Sequence, residues 1–208
     1  MADPVSVDAE VTLGPRARAR RDSIALHTLS CVRENGWDAT TIDHIVVAAG
    51  ASRRTFFNYF KTKADAFWYA AQMGQADLLA QVRSAGATSD PWGAVVTAQV
   101  SWAHQVEKRG RQGLQALIEM IDSVDELNRS VPVHELLWVD EVSHVLTAPD
   151  HSPQARAATR AAASSFNEAR NQVTRLWARE EIDDLAEAMD DVLSALSRGA
   201  QQAAASLA

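Results

Sequence analysis

The chain has 208 residues, 47% hydrophobic and 23% charged, with a formal net charge of −7 and one cysteine. That length can bury a sizeable core, while a lone cysteine excludes an intramolecular disulfide and suits a reducing compartment. No apolar run approaches a bilayer span and the acidic start lacks a basic n-region and an apolar h-region, so neither a membrane helix nor a signal peptide is expected, and a cytoplasmic location is.

Residues 1–15 hold two prolines, a glycine and little apolar pattern, and read as a flexible tail. Arg16, Arg18, Arg20 and Arg21 follow, either as an arm that reaches phosphates or a minor groove or as a solvated one. The first helix carries Ile24, Thr28, Cys31 and Val32 at i, i+4, i+7 and i+8, with Gly36 as its stop and Trp37 folding back on the core. Cys31 then reads as a small core residue, against the competing reading of a redox-sensing thiol.

The segment from Thr40 to Lys63, TTIDHIVVAAGASRRTFFNYFKTK, has the layout of a helix-turn-helix. Thr41 is a good N-cap for a short helix whose buried stripe is Ile42, Ile45, Val46 and Ala49. Gly50 supplies the left-handed backbone of a tight turn, and Ser52 caps the next helix. At about 100° per residue from Phe56, Phe60 falls about 40° away while Arg54 and Asn58 fall at about 160° and 200°. The phenylalanines are therefore expected to face the core, with Arg54 and Asn58 outward and Arg53 and Thr55 flanking them at the end that enters a major groove. Arginine grips guanine O6 and N7, and asparagine grips adenine. Ser52, Tyr59, Lys61 and Lys63 suit phosphates, and His44 fits either set.

A solvated basic edge on two amphipathic helices is the plainer reading of the same charges. Their distribution weighs against it. Residues 16–63 hold nine Lys and Arg against four Asp and Glu, net +5, whereas residues 64–208 are net −9. Positive charge confined to one end of an acidic chain points to a local DNA-facing surface.

Residues 20–68 resemble the DNA-binding domain of the TetR family of bacterial transcriptional repressors. The marks are the NGWDATT helix end, the glycine-alanine-serine turn, the TFFNYF cluster and a lysine three residues beyond its last phenylalanine. The resemblance implies that Thr41 and Lys63 bind phosphates and that Arg53, Arg54, Thr55 and Asn58 occupy positions that vary with operator sequence. Phe57 departs from the pattern, standing where many members have a tyrosine that touches the backbone, which shifts that load toward Tyr59.

After Lys63 every strong signal is helical, so an all-α fold is expected, with a helix-turn-helix domain over 16–63 and a helical ligand-binding and dimerisation domain over 64–208. Thr62 and Asp65 start a helix carrying Phe67, Trp68, Ala71, Leu78, Leu79 and Val82 that fades at SAGATSD. Asp90 and Pro91 start the next, through Trp92, Val95, Val96, Val100 and Ala103. A shorter helix follows around Leu114, Leu117, Ile118 and Ile121, then one over roughly Val131 to Leu146, with a break at 148–153.

Two long helices close the chain, over about 153–180 and 182–205. Their stripes, Ala155 to Leu176 and Ile182 to Gly199, suit close antiparallel packing, either inside the domain or against a copy of it. The resemblance selects the copy: a homodimer through Ala162, Phe166, Val173, Leu185, Met189, Val192 and Leu196, matched to a palindromic operator. It also implies a pocket for a small-molecule effector among the middle helices. Trp102, Met120, Trp138 and Phe166 are candidate walls, and His104, His134, His144 and Asn167 candidate polar anchors, although aromatics at helical spacing also serve simply as core.

An enzyme finds little support. No glycine-rich phosphate loop follows a strand, no GxSxG elbow occurs, and HELLW at 134–138 has tryptophan where a zincin needs its second histidine. Six scattered histidines and one cysteine give no metal site, and no cofactor is expected. A helical adaptor whose basic end binds an acidic protein partner is the remaining alternative.

Overall fold

The computed structural model describes residues 13–85, 90–147 and 152–207, and among them the fold is all-α with no strand. The expected tail over residues 1–12, the fading at 86–89 and most of the break at 148–151 lie outside the described residues. The helices are α1 (Pro15–Asn35), α2 (Ile42–Ala48), α3 (Arg53–Phe57), α4 (Lys63–Ala85), α5 (Pro91–Arg109), α6 (Arg111–Ser123), α7 (Asp125–Leu146), α8 (Pro153–Ala178) and α9 (Leu185–Leu207). Packing divides the chain into two units, one up to Ala71 and one from Gln72, so the first turns of α4 belong with α1–α3.

In the first unit, Pro15 opens α1 at its first turn, where its missing N–H costs nothing. Arg16, Arg18, Arg20 and Arg21 are therefore helical rather than part of a loose arm. Two of them hold neighbouring elements. Arg20 donates to the Ala49 carbonyl at 3.4 Å, and the Arg21 guanidinium lies 4.0 Å over the Tyr69 ring. Tyr69 in turn donates to Asp22 at 2.7 Å, and burial and that bond push its phenol up to about 12. Ile24, Thr28, Cys31 and Val32 are all buried, as their spacing requires. The Cys31 thiol is raised by burial, which keeps it in the unreactive protonated form.

The turn from α1 to α2 is tied by Thr40, which is 2% exposed and whose hydroxyl lies 2.8 Å from the Gly36 carbonyl and 3.0 Å from that of Cys31. Thr41 then caps α2, accepting from the His44 N–H at 3.2 Å. Gly50 sits at φ 57 with open space where a Cβ would go. Its backbone conformation, not crowding, demands glycine there. Ser52 caps α3 by accepting from Thr55 N–H at 3.0 Å. Phe56 and Phe60 close the core on Ile24, Ala25, Ile45 and Ala66.

The second unit is built around α9, which packs chiefly on α5 and α8, with α7 packed on α8. Trp92 of α5 stacks on Phe166 of α8 at 4.9 Å, above a core of Val95, Val96, Trp138, Val173, Trp177, Leu185, Met189 and Leu193. Asp90 and Pro91 start α5 as its sequence implies, with Asp90 accepting from Gly93 N–H at 2.7 Å. Glu107 at the other end of α5 accepts from the N–H groups of Leu185 and Ala186, at 2.6 and 3.2 Å, supplying the anionic cap for the start of α9.

Two boundaries differ from expectation. The helix expected from Val131 begins at Asp125 instead, with Pro132 inside it. Asp125 and Glu126 suit the positive helix end, and fully buried Leu127 anchors that first turn, which together outweigh the hydrogen bond that Pro132 cannot make. The last helix begins at Leu185 rather than 182, because Asp184 accepts from Glu187 N–H and Glu180 takes a left-handed φ of 62 that ends α8.

Candidate nucleic-acid interface

Ser52 and Phe56 fix α3 from opposite sides, one by its cap and one by burial, and this decides which side chains face outward. Counting about 100° per residue from Phe56, the exposed residues are Arg53 at about 60°, Phe57 at about 100°, Arg54 at about 160° and Asn58 at about 200°. Thr55 and Tyr59, at about 260° and 300°, are half-buried. The outward arc is continuous. Phe57 lies within it, 48% exposed, while Phe56 and Phe60 are buried beneath it.

Within the arc, Arg54 and Asn58 make no side-chain hydrogen bond or ion pair among the described residues, so both can be turned on a ligand at no cost in internal contacts. Arg53 is engaged, donating to Asp43 at 2.8 Å. Both of those side chains are more than half exposed, and an ion pair so wet is weak enough to exchange for a phosphate or a base. The Ser52 hydroxyl lies 2.8 Å from that of Thr55, so the two polar groups at the start of α3 are coupled. Tyr59 packs its ring against the first-unit core, while Lys61 is exposed.

Thr41 and His44 form one reciprocal cap: the His44 Nδ1 accepts from Thr41 N–H at 3.4 Å while Thr41 Oγ1 accepts from His44 N–H. With Nδ1 as acceptor the ring proton sits on Nε2, directed away from the cap. Lys63 is half-buried. Its ammonium donates to the Trp37 and Thr40 carbonyls, the latter at 2.8 Å, and lies 4.1 Å from the Trp37 ring centroid. This bond set between α4 and the α1–α2 turn was not visible in the sequence, since Trp37 and Lys63 are 26 residues apart.

The candidate residues of the second unit separate into two groups. Phe166, Val173, Leu185 and Met189, expected at a dimer interface, are buried in the chain's own core, facing α5 and one another. Ala162 and Leu196 are half-buried and Val192 is 38% exposed, and the last two border an open groove between α8 and α9 with Ser164, Ser165, Ala169 and Ala195. Among the pocket candidates, His104 and His144 are exposed, and His104 pairs with Glu107 at 3.4 Å, so neither is an interior anchor. Trp102 and Met120 are half-buried. Trp138 and Asn167 are brought together through Arg170, whose guanidinium lies 4.9 Å over the Trp138 ring and donates to Asn167 Oδ1 at 2.8 Å. Burial pulls Arg170 down to about 10 against the opposing pull of Glu135.

Residues 27–67 match the family model described as bacterial regulatory proteins, tetR family. No curated protein is similar enough in sequence to match. In fold the chain is similar to a TetR-family regulator from Streptomyces coelicolor A3, at 19% identity over 92% of this chain and 98% of that one, with a TM-score of 0.62. It is similar also to Thermus thermophilus FadR, a TetR-family transcriptional repressor in complex with lauroyl-CoA, at 21% identity over 85% of this chain and 92% of that one, with a TM-score of 0.58.

Replacing Lys63 by Met keeps the length of the side chain and removes its ammonium from the Trp37 and Thr40 carbonyls. A hydrogen bond to a charged group contributes about 1.5 to 3 kcal/mol. Lys63→Met should therefore unfold at lower denaturant than wild type, and an unchanged midpoint would show that these bonds contribute nothing.

Proposed function

The chain carries at its N-terminal end the helix-turn-helix domain of the tetR family of bacterial regulatory proteins, and from that premise we propose a homodimeric repressor that leaves a palindromic operator when a small-molecule effector binds. The observation that carries the reading is the outward arc of α3, where Arg54 and Asn58 stand exposed and unengaged beside a capped N-terminus. In a major groove Arg54 reads guanine and Asn58 adenine, by paired hydrogen bonds to each base edge. Thr41, His44, Ser52, Tyr59, Lys61 and Lys63 surround them with groups suited to phosphates, which set register without reading sequence. Arg53 and Thr55 lie between the two sets.

Dimerisation is assigned to the outward faces of α8 and α9, where Ala162, Val192 and Leu196 remain for a second copy once the inward residues are committed to the core. A two-fold dimer presents two copies of α3 about 34 to 36 Å apart, or a multiple of that, matching successive turns of one DNA face.

The effector site is assigned to the interior of the second unit. The side chains of Gln99, Trp138 and Thr174 each bury a polar atom that has no partner among the described residues. Trp92 of α5 meets Phe166 of α8, and Arg111 at the start of α6 lies over Trp177 near the end of α8. Buried polar atoms without partners are uncommon in folded proteins, and an apolar effector carrying an acceptor oxygen would satisfy the Gln99 amide, the Trp138 indole and the Thr174 hydroxyl. The lauroyl-CoA of the similar FadR fits that description in its acyl part. Because α4 begins at Lys63 and continues to Leu78, Leu79 and Val82 in the second-unit core, a repacking of that core is transmitted along one helix to the DNA-binding end.

Three measurements test these parts. Arg54→Ala should cost about 1 to 3 kcal/mol of operator affinity per half-site and relax base preference, and unchanged preference in a selection from random DNA would remove Arg54 as a reader. Leu196→Glu should dissociate the dimer on sedimentation, because a charge would be buried unpaired; an intact dimer with the wild-type melting temperature would place the interface elsewhere. A ligand identified by raising the melting temperature should bind about 5- to 150-fold more weakly to the operator-bound protein, as linkage requires, and equal affinities would exclude it as inducer.

A further inference from the structure

Phe57 is the one large apolar side chain on the outward arc of α3. It lies near the middle of that arc, between Arg53 and Arg54, and is 48% exposed. Its ring is fixed from below by an edge-to-face contact with Phe56, at 5.5 Å and 83°, and from the side by the Arg53 guanidinium 5.9 Å from its centroid. The buried Phe56 ring thus sets Phe57 outward.

Phenylalanine offers no hydrogen bond to a phosphate or a base edge. Where a helix enters the major groove, the apolar group presented by the base pairs is the C5-methyl of thymine. Resting on the reading of α3 as the base-reading helix, we propose that Phe57 is a specificity-determining residue that packs on a thymine 5-methyl group adjacent to the base read by Arg54. The contact removes two apolar surfaces from water together, and its strength follows the methyl rather than the base pair. A methyl transferred from water contributes about a fourfold factor in affinity, so a two-fold site loses roughly fifteenfold when both methyls are removed.

The test uses the full-length protein and a duplex enriched by it from random-sequence DNA. Deoxyuridine replaces thymidine one position at a time in both half-sites, which removes the methyl and leaves base pairing intact. Wild type is expected to lose roughly fifteenfold at one thymine position, while Phe57→Ala binds the thymine and uracil duplexes equally. Equal wild-type affinity at every position, an enriched half-site without thymine, or discrimination that persists in Phe57→Ala would each overturn the assignment. The uracil comparison in wild type does not depend on the variant folding. A pool that yields no enriched sequence would instead sink the regulator reading, and this assignment with it.

Discussion

An ammonium group held between two backbone carbonyls sets the geometry on which the DNA-facing end depends. Lys63, the first residue of α4, donates to Trp37 and Thr40 across the turn that joins α1 to α2, and its charge lies over the Trp37 ring. The Thr40 hydroxyl ties the same turn back to the end of α1. With the turn fixed, Thr41 has one place from which to cap α2, and α2 one direction in which to run. Gly50 and Ser52 then hand that direction to α3. A five-residue helix has little cohesion of its own. Its orientation is imposed by the cap at one end and by Phe56 and Phe60 beneath it.

Two-faced helices recur at the other end of the chain. The inward faces of α8 and α9, through Phe166, Val173, Leu185 and Met189, are consumed by packing on α5 and by each other. The outward faces carry smaller and more polar residues with Val192 and Leu196 among them. The same pair of helices therefore closes the core of one chain and leaves an open groove on its outer side. Glu107 contributes to this by capping α9 from α5, which fixes where the helix begins and so which residues fall on each face.

Local signals were legible in the sequence because they act within a few residues. Thr41, Ser52, Thr62 with Asp65, and Asp90 each cap the helix their spacing marks, and Gly50 takes the positive φ its turn requires. Signals that depend on distant neighbours were not legible. The helix expected from Val131 begins six residues earlier, where burial of Leu127 carries α7 through Pro132. Phe166 and Met189 fit an interface stripe and a core stripe equally, and only the position of α5 decides between them. Arg16 to Arg21 follow a proline that looks like a boundary and proves to be the first residue of α1.

The central claim is that the outward arc of α3 recognises a defined DNA sequence through a two-fold dimer. Enrichment of random-sequence duplexes by the full-length protein, in the presence of a large excess of bulk DNA, tests it most directly. The account requires an enriched palindrome whose half-site centres are separated by one helical turn or a whole multiple of it. Enrichment of no sequence, or binding that the bulk DNA abolishes, would contradict it and leave α3 as a solvated basic edge.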